Sequence, residues 1–126
     1  MTDIGLLAIL SNMKKSIARP GPYSLAKYRA RANIIKAMAH PSRLLIMDAL
    51  SVKELCVCEL TELVGADTST VSKHLSVLRN AGIVTDEKRG TMVYYRLRVA
   101  CIMNFFGCVE SVMETSARDQ LALVKR

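Results

Sequence analysis

The run DTSTVSKHLSVLRNAG, residues 67–82, leaves this chain little choice of fold. Asp67 is a strong N-cap residue, because a carboxylate there accepts from the unpaired amides of a first helical turn, and Gly82 supplies the stop signal. The spacing predicts a helix over 68–80. Val71, Leu75 and Leu78 fall on one face, while Ser69, Ser72, Lys73, Ser76 and Arg79 make the opposite stripe. Just upstream, Val57, Leu60, Leu63 and Val64 share a shorter helical face that Gly65 ends. Two short helices joined by a tight turn, the second with a small, polar and basic side, meet the requirement for a helix-turn-helix. Small hydroxyl side chains let such a helix approach a major-groove floor, and Lys and Arg reach bases or phosphates. An ordinary amphipathic helix with a solvated face carries the same stripe, so the next element decides. Residues 83–88 and 91–97 are rich in β-branched and aromatic side chains, with Arg89-Gly90 as the turn between them. A hairpin placed directly after such a helix, with Lys88 and Arg89 at its tip, is a wing.

The rest of the chain forms a frame for that unit. At 126 residues it is most simply one domain, without internal repeats or low-complexity tracts. Leu6, Leu10, Met13 and Ile17 recur at helical spacing, so residues 1–19 read as a helical extension, set off by Arg19-Pro20-Gly21-Pro22. Leu25, Tyr28, Ala32, Ile35 and Met38 predict a helix over 24–38, interrupted at His40-Pro41. A helix over 41–50 follows, with Leu44, Leu45 and Met47 available to the core. The last helix is expected to begin near Val99. Its apolar face (Ile102, Phe105, Phe106, Val109, Val112 and Met113) is broader than a domain this small can cover, which argues for a twin helix in a twofold dimer. The expected architecture is therefore mainly α with a β-hairpin wing, an α+β winged helix-turn-helix over 24–116. It would pair as a homodimer through its N- and C-terminal helices, with 117–126 as a tail.

Charge and cysteine usage narrow the partner. The net charge is +7 and the isoelectric point about 9.5. Residues 1–50 carry eight Lys/Arg against two Asp/Glu, and residues 69–98 carry six against two. That balance suggests a polyanionic partner, although charge alone does not name it and a solvated basic face carries the same excess; the recognition stripe and the wing point to double-stranded DNA. The longest apolar runs, such as GLLAIL, fall far short of the ~18 residues that span a bilayer, and no basic region or small-residue cleavage site marks a signal peptide. The expected setting is the cytoplasm with no membrane role, where four cysteines are thiols or metal ligands. No Gly-rich phosphate loop, catalytic triad or carboxylate pair is present to suggest an enzyme or an organic cofactor.

ELCVCEL, residues 54–60, places two of those cysteines two residues apart. In a regular helix such residues lie about 200° apart around the axis, so they cannot grip one ion from mid-helix. Cys56, however, can occupy an N-cap slot with Glu59 as its capping-box partner. A cap has non-helical backbone angles, so Cys56 could swing toward Cys58 if the first turn loosens. Unpaired amides at that end favour thiolate, the form that binds soft metals and metalloids. Cys56 and Cys58 are thus the main candidate ligands. The blander reading makes Cys56 a weak cap and Cys58 a packing residue. Cys101 and Cys108 are seven residues apart on the last helix, about 10 Å along its axis, so one ion joins at most one of them to the pair. Cys108, inside FFGCVESV, reads first as packing.

AMAHPSRLLIMDAL, then ELCVCELTELVGADTSTVSKHLSVLRNAGIV, then the wing ending VYYRL, together resemble the ArsR-type winged-helix repressors, which sense soft metals and metalloids. The likeness is dense over residues 30–98. It implies a homodimeric repressor that leaves a palindromic operator when As(III), Sb(III) or another soft ion such as Cd(II), Pb(II) or Zn(II) binds cysteine thiolates. The chain departs from the arsenic repressors where their third cysteine would fall, at Thr61. It has no cysteine before 56, which removes the N-terminal pair of the cadmium and lead sensors. The family's persulfide sensors place a cysteine where this chain has Met47, which weakens a thiol-redox or persulfide alternative of the same fold. A small thiol carrier or thiol enzyme without DNA binding leaves the recognition stripe and wing unexplained. The DNA-facing residues are expected to be Ser69, Thr70, Ser72, Lys73, His74, Ser76 and Arg79, with Lys88 and Arg89 for the backbone.

Overall fold

The computed structural model describes residues 24–125 of the chain; the expected extension over 1–19 lies outside them. The chain divides into two units, Met1–Ala39 and His40–Arg126. In the first, helix α1 spans Leu25–Met38, and Ser24 caps it by accepting from the Lys27 amide at 3.4 Å. Leu25, Tyr28 and Ile35 of its expected stripe are exposed, while Ala37 and Met38 are buried.

The second unit holds everything else. Helix α2, Pro41–Val52, starts with proline at its first position, where a missing N–H costs nothing. Its cap is His40, whose Nδ1 accepts from the Ser42 amide at 3.1 Å. The core side of α2 is Ile46, Met47 and Leu50; Leu44 and Leu45, expected inside, are exposed because the helix turns that face outward. A two-residue strand β1, Leu55–Cys56, leads directly into α3, Val57–Val64. Gly65 ends α3 in the left-handed conformation, φ 73°, which glycine adopts without a Cβ penalty. Helix α4, Thr68–Asn80, then runs between the ends that its cap and stop residues predict.

Strands β2, Val84–Arg89, and β3, Met92–Leu97, form an antiparallel hairpin. Arg89 pairs with Met92, so the turn is Gly90-Thr91, one residue later than expected. Of the two turn residues only Gly90 has positive φ, 64°, the pattern of a type II′ turn whose twist suits flanking strands. β3 is central in a three-stranded sheet ordered β1-β3-β2, with Leu55 opposite Tyr95 and Cys56 opposite Tyr94. A 3₁₀ turn, Ala100–Ile102, precedes helix α5, Met103–Val124, which continues past the expected domain end at 116.

α3 packs on α4, and α2 packs on α3, α4 and β3. Ile46, Met47, Leu60, Val71, Leu75, Leu78 and Val84 are completely buried at that junction. Each such side chain contributes roughly 1.5–3 kcal/mol by leaving water, so α4 is held firmly by its apolar side. Nothing on α5 is buried: Phe105, Val109, Val112 and Met113 are exposed.

Candidate nucleic-acid interface and thiol corner

The outer side of α4 is set by its burial. With 100° per residue, Val71, Leu75 and Leu78 facing the core place Ser69, Lys73, Ser76 and Asn80 on the opposite side, with Ser72 beside them. Lys73 is exposed, and Ser72 and Ser76 are half-buried. Asn80 was not among the expected contacts; counting the same period one turn further would have found it. Asp67 organises the helix start: it accepts from the Thr70 amide at 2.7 Å and the Ser69 hydroxyl at 2.9 Å. These bonds, that to Thr70 first, hold its carboxyl below the ordinary 3.8. Ser69 and Thr70 therefore serve the cap as well as the outer face.

His74 lies at the edge, turned toward the start of α2, where its ring centroid is 4.3 Å from that of His40. Burial, then the neighbouring His40 and Arg43, push its pKa down, so at neutral pH it offers an uncharged imidazole and no phosphate-binding cation. Arg79 is likewise not free. It bonds Asp86 on β2 at 2.9 Å and ties the end of α4 to the wing.

The wing tip differs from its expected form. Arg89 pairs with Glu87 at 2.9 Å and with Glu54, and its guanidinium sits 4.7 Å above the centroid of Tyr94. Two carboxylates and a ring occupy it, which leaves Lys88 as the exposed tip cation. Arg96, exposed on β3 and bonded to the Thr85 hydroxyl at 3.2 Å, is a wing cation outside the expected set. Its place in VYYRL, two residues beyond Tyr94, was the available signal.

The thiol corner adjoins this wing. Cys56 is the N-cap of α3, with extended backbone (φ −82°, ψ 164°). Its amide donates to the Glu59 carboxylate at 3.3 Å, and the Glu59 amide points back at the sulfur, so the expected capping box is present. Cys56 is also half of β1 and is buried, its side chain on the face of the sheet shared with Tyr94. The expectation of a favoured thiolate fails here. The Glu59 amide does lower the Cys56 pKa, but burial, the hydrogen bond with the Glu59 carboxylate and that carboxylate's charge outweigh it and raise the thiol above 9.0. Cys58, two residues on, is exposed.

Cys101 lies in the 3₁₀ turn rather than on the last helix, and Cys108 is an exposed residue of α5, not a packed one. Among the described residues no three His, Cys, Asp or Glu side chains converge as a metal site. Cys56 and Cys58 as folded are a buried and an exposed thiol. They suit a thiophilic ion by donor chemistry, yet they can meet on one only if the first turn of α3 opens.

Comparison with known proteins gives this arrangement its setting. Residues 40–86 match the family model described as bacterial regulatory protein, arsR family. The chain is 36% identical to a cadmium resistance transcriptional regulatory protein CadC homolog of Staphylococcus aureus, over 70% of this chain and 69% of that one. Over a shorter stretch, 35% of this chain and 34% of the other, it is 52% identical to the arsenic resistance transcriptional regulator ArsR1 of Pseudomonas putida. Among solved structures, it superposes on a homodimeric winged helix-turn-helix DNA-binding domain from Mycobacterium bovis, a possible ArsR-family regulator. That match has a TM-score of 0.67 and 27% identity, and it covers 82% of this chain and 95% of that one. Among the described residues, no helix is long and apolar enough to cross a membrane.

Proposed function

Because the chain belongs to the arsR family of bacterial regulatory proteins, which are DNA-binding transcriptional regulators and not enzymes, we propose that it is a cytoplasmic, metalloid-released repressor. In this reading it binds a palindromic operator as a homodimer, joined through the bare apolar side of α5. Ser69, Thr70, Ser72, Lys73, Ser76 and Asn80 face the major groove, and Lys88 and Arg96 of the wing meet phosphates. Cys56 and Cys58 take As(III) or Sb(III) as thiolates; Cd(II) and Pb(II) share the required softness. Zn(II), which is usually held by four ligands, has less support, since no group of three or more His, Cys, Asp or Glu side chains forms among the described residues.

One observation carries the mechanism: Cys56 is at once the cap of α3, half of strand β1 and a neighbour of Tyr94. For Cys56 to turn its sulfur toward Cys58, it must give up the capping box with Glu59 and the pairing with Tyr94. The first turn of α3 then loosens, and α3 is the helix on which α4 rests. Tyr94 in turn lies beneath Arg89, which Glu54 ties to the same corner, so the wing loses its anchorage too. A coupling of about 1–3 kcal/mol between the thiols and DNA is a 5–150-fold change in affinity, and a loosened cap and strand pair are of that order. A third ligand, if one joins, comes from Cys101 or Cys108.

The test is release of the protein from its own promoter fragment, titrated with As(III), Sb(III), Cd(II), Pb(II), Zn(II) and polysulfide. Release by As(III) or Sb(III) that vanishes in Cys56→Ser and Cys58→Ser supports the reading. Retained release in those variants ends it, and release by polysulfide alone assigns the chain to thiol oxidation instead.

A further inference from the structure

The positive charge is unevenly divided between the two units. His40–Arg126, which carries α4 and the wing, has eleven Lys/Arg against ten Asp/Glu, a net of +1. Residues 1–39 have seven against one, a net of +6. Inside the winged unit, Arg79 and Arg89 already hold carboxylates. Helix α1 is the reverse. Lys27, Arg29, Arg31 and Lys36 are all exposed, the helix sequence LAKYRARANIIKAM contains no acidic residue, and among the described residues none of the four is in an ion pair. Arg31 is braced over the Tyr28 ring at 5.4 Å, a contact that leaves its charge in place.

DNA presents one negative charge per about 1.7 Å of its axis, and affinity for it is built chiefly from cations that replace condensed counterions. A winged unit of net +1 attracts such a polymer only through the local excess of residues 69–98, where Arg79 and Arg89 are already paired. We propose that α1 is a second DNA-contacting surface, which binds phosphates without regard to sequence while α4 chooses the site. This rests on the reading that the winged unit holds an operator. Lys27 and Arg31 lie on one side of α1, and Arg29 and Lys36 on the opposite side, so a duplex along the helix meets two cations at a time. An anionic membrane would satisfy the same cations. The duplex is favoured because the same chain presents the polar, basic side of α4, which the proposed function assigns to DNA.

The experiment uses the full chain with Lys27→Gln, Arg29→Gln, Arg31→Gln and Lys36→Gln combined. Binding is followed by fluorescence anisotropy across a KCl series, on the chain's own promoter duplex and on a scrambled duplex of equal length. Each lost phosphate contact lowers the slope of log K against log[salt] by about 1, so the expected loss is about 2 per protomer and about 4 for the bound dimer, with both duplexes weakened by the same factor. A paired Arg29→Lys, Arg31→Lys variant, measured alongside with sedimentation and circular dichroism, keeps the wild-type slope. An unchanged slope in the glutamine variant, or a loss confined to the promoter duplex, overturns the proposal. So does a slope retained on DNA while binding to phosphatidylserine vesicles disappears. Wild-type protein with no preference for its promoter duplex would instead sink the operator reading, and the scrambled duplex would still decide the role of α1.

Discussion

The two helices of the helix-turn-helix begin at caps of opposite character. Asp67 starts α4 with an oxygen that accepts at 2.7 and 2.9 Å, bonds that hold its carboxyl below the ordinary carboxylate range. Cys56 starts α3 with a sulfur, a weaker acceptor, backed by a carboxylate at 3.3 Å and by burial that keeps the thiol protonated. The first cap is permanent at neutral pH. The second is held by contacts that a reaction at sulfur would remove. A helix that must present the same face to DNA every time has the durable cap, and the helix beneath it has the one that chemistry can undo.

The largest effect follows from exchanging the weaker cap. Cys56→Ser installs a better cap without soft-ligand chemistry. The roughly 5–150-fold loss of DNA affinity on As(III) addition should fall below about twofold, while affinity without As(III) stays near wild type in an anisotropy assay. Next, Asp67→Ala removes the durable cap and should lower Tm by about 5 °C at pH 7 by circular dichroism. Because the Asp67 carboxyl is depressed in the folded chain, its contribution is fully present above its ordinary 3.8 and is lost as pH falls through the lower folded value. The Tm gap between wild type and Asp67→Asn should therefore close as acid is added below that point. A smaller effect is chemical. Glu59→Gln removes the charge that helps raise the Cys56 thiol, so its thiolate absorbance should develop at lower pH and its alkylation quicken a few-fold. The smallest is at the wing, where Arg89→Gln breaks two exposed ion pairs worth together about 0.5 kcal/mol and should lower Tm by about 2–3 °C.

Local features of this fold were legible in the sequence. The ends of α4 follow from Asp67 and Gly82, the core side from Val71, Leu75 and Leu78, and the capping role of Cys56 from Glu59 three residues on. What escaped depends on contacts distant in sequence. Strand β1 is only Leu55–Cys56 and exists because β3 pairs with it. The turn falls at Gly90-Thr91 because Arg89 is drawn into the ladder opposite Met92 and held by Glu54. Arg79 and Arg89 counted as free cations in the sequence, and their carboxylate partners emerge only when the hairpin folds back. The Cys56 thiol departs from expectation for a related reason: the helix amides are local, whereas burial and the charge of the Glu59 carboxylate act only once the corner has folded.

Release of DNA, in this mechanism, depends on what happens between Leu55 and Glu59. Hydrogen–deuterium exchange of the reduced protein, with and without a stoichiometric amount of As(III), measures this directly. Faster exchange at the amides of Cys56 and its β3 partner Tyr94, with the Val71–Leu78 segment of α4 still protected, is the predicted result. Unaltered exchange across 55–60, with changes confined to the segments around Cys101 and Cys108, would contradict it.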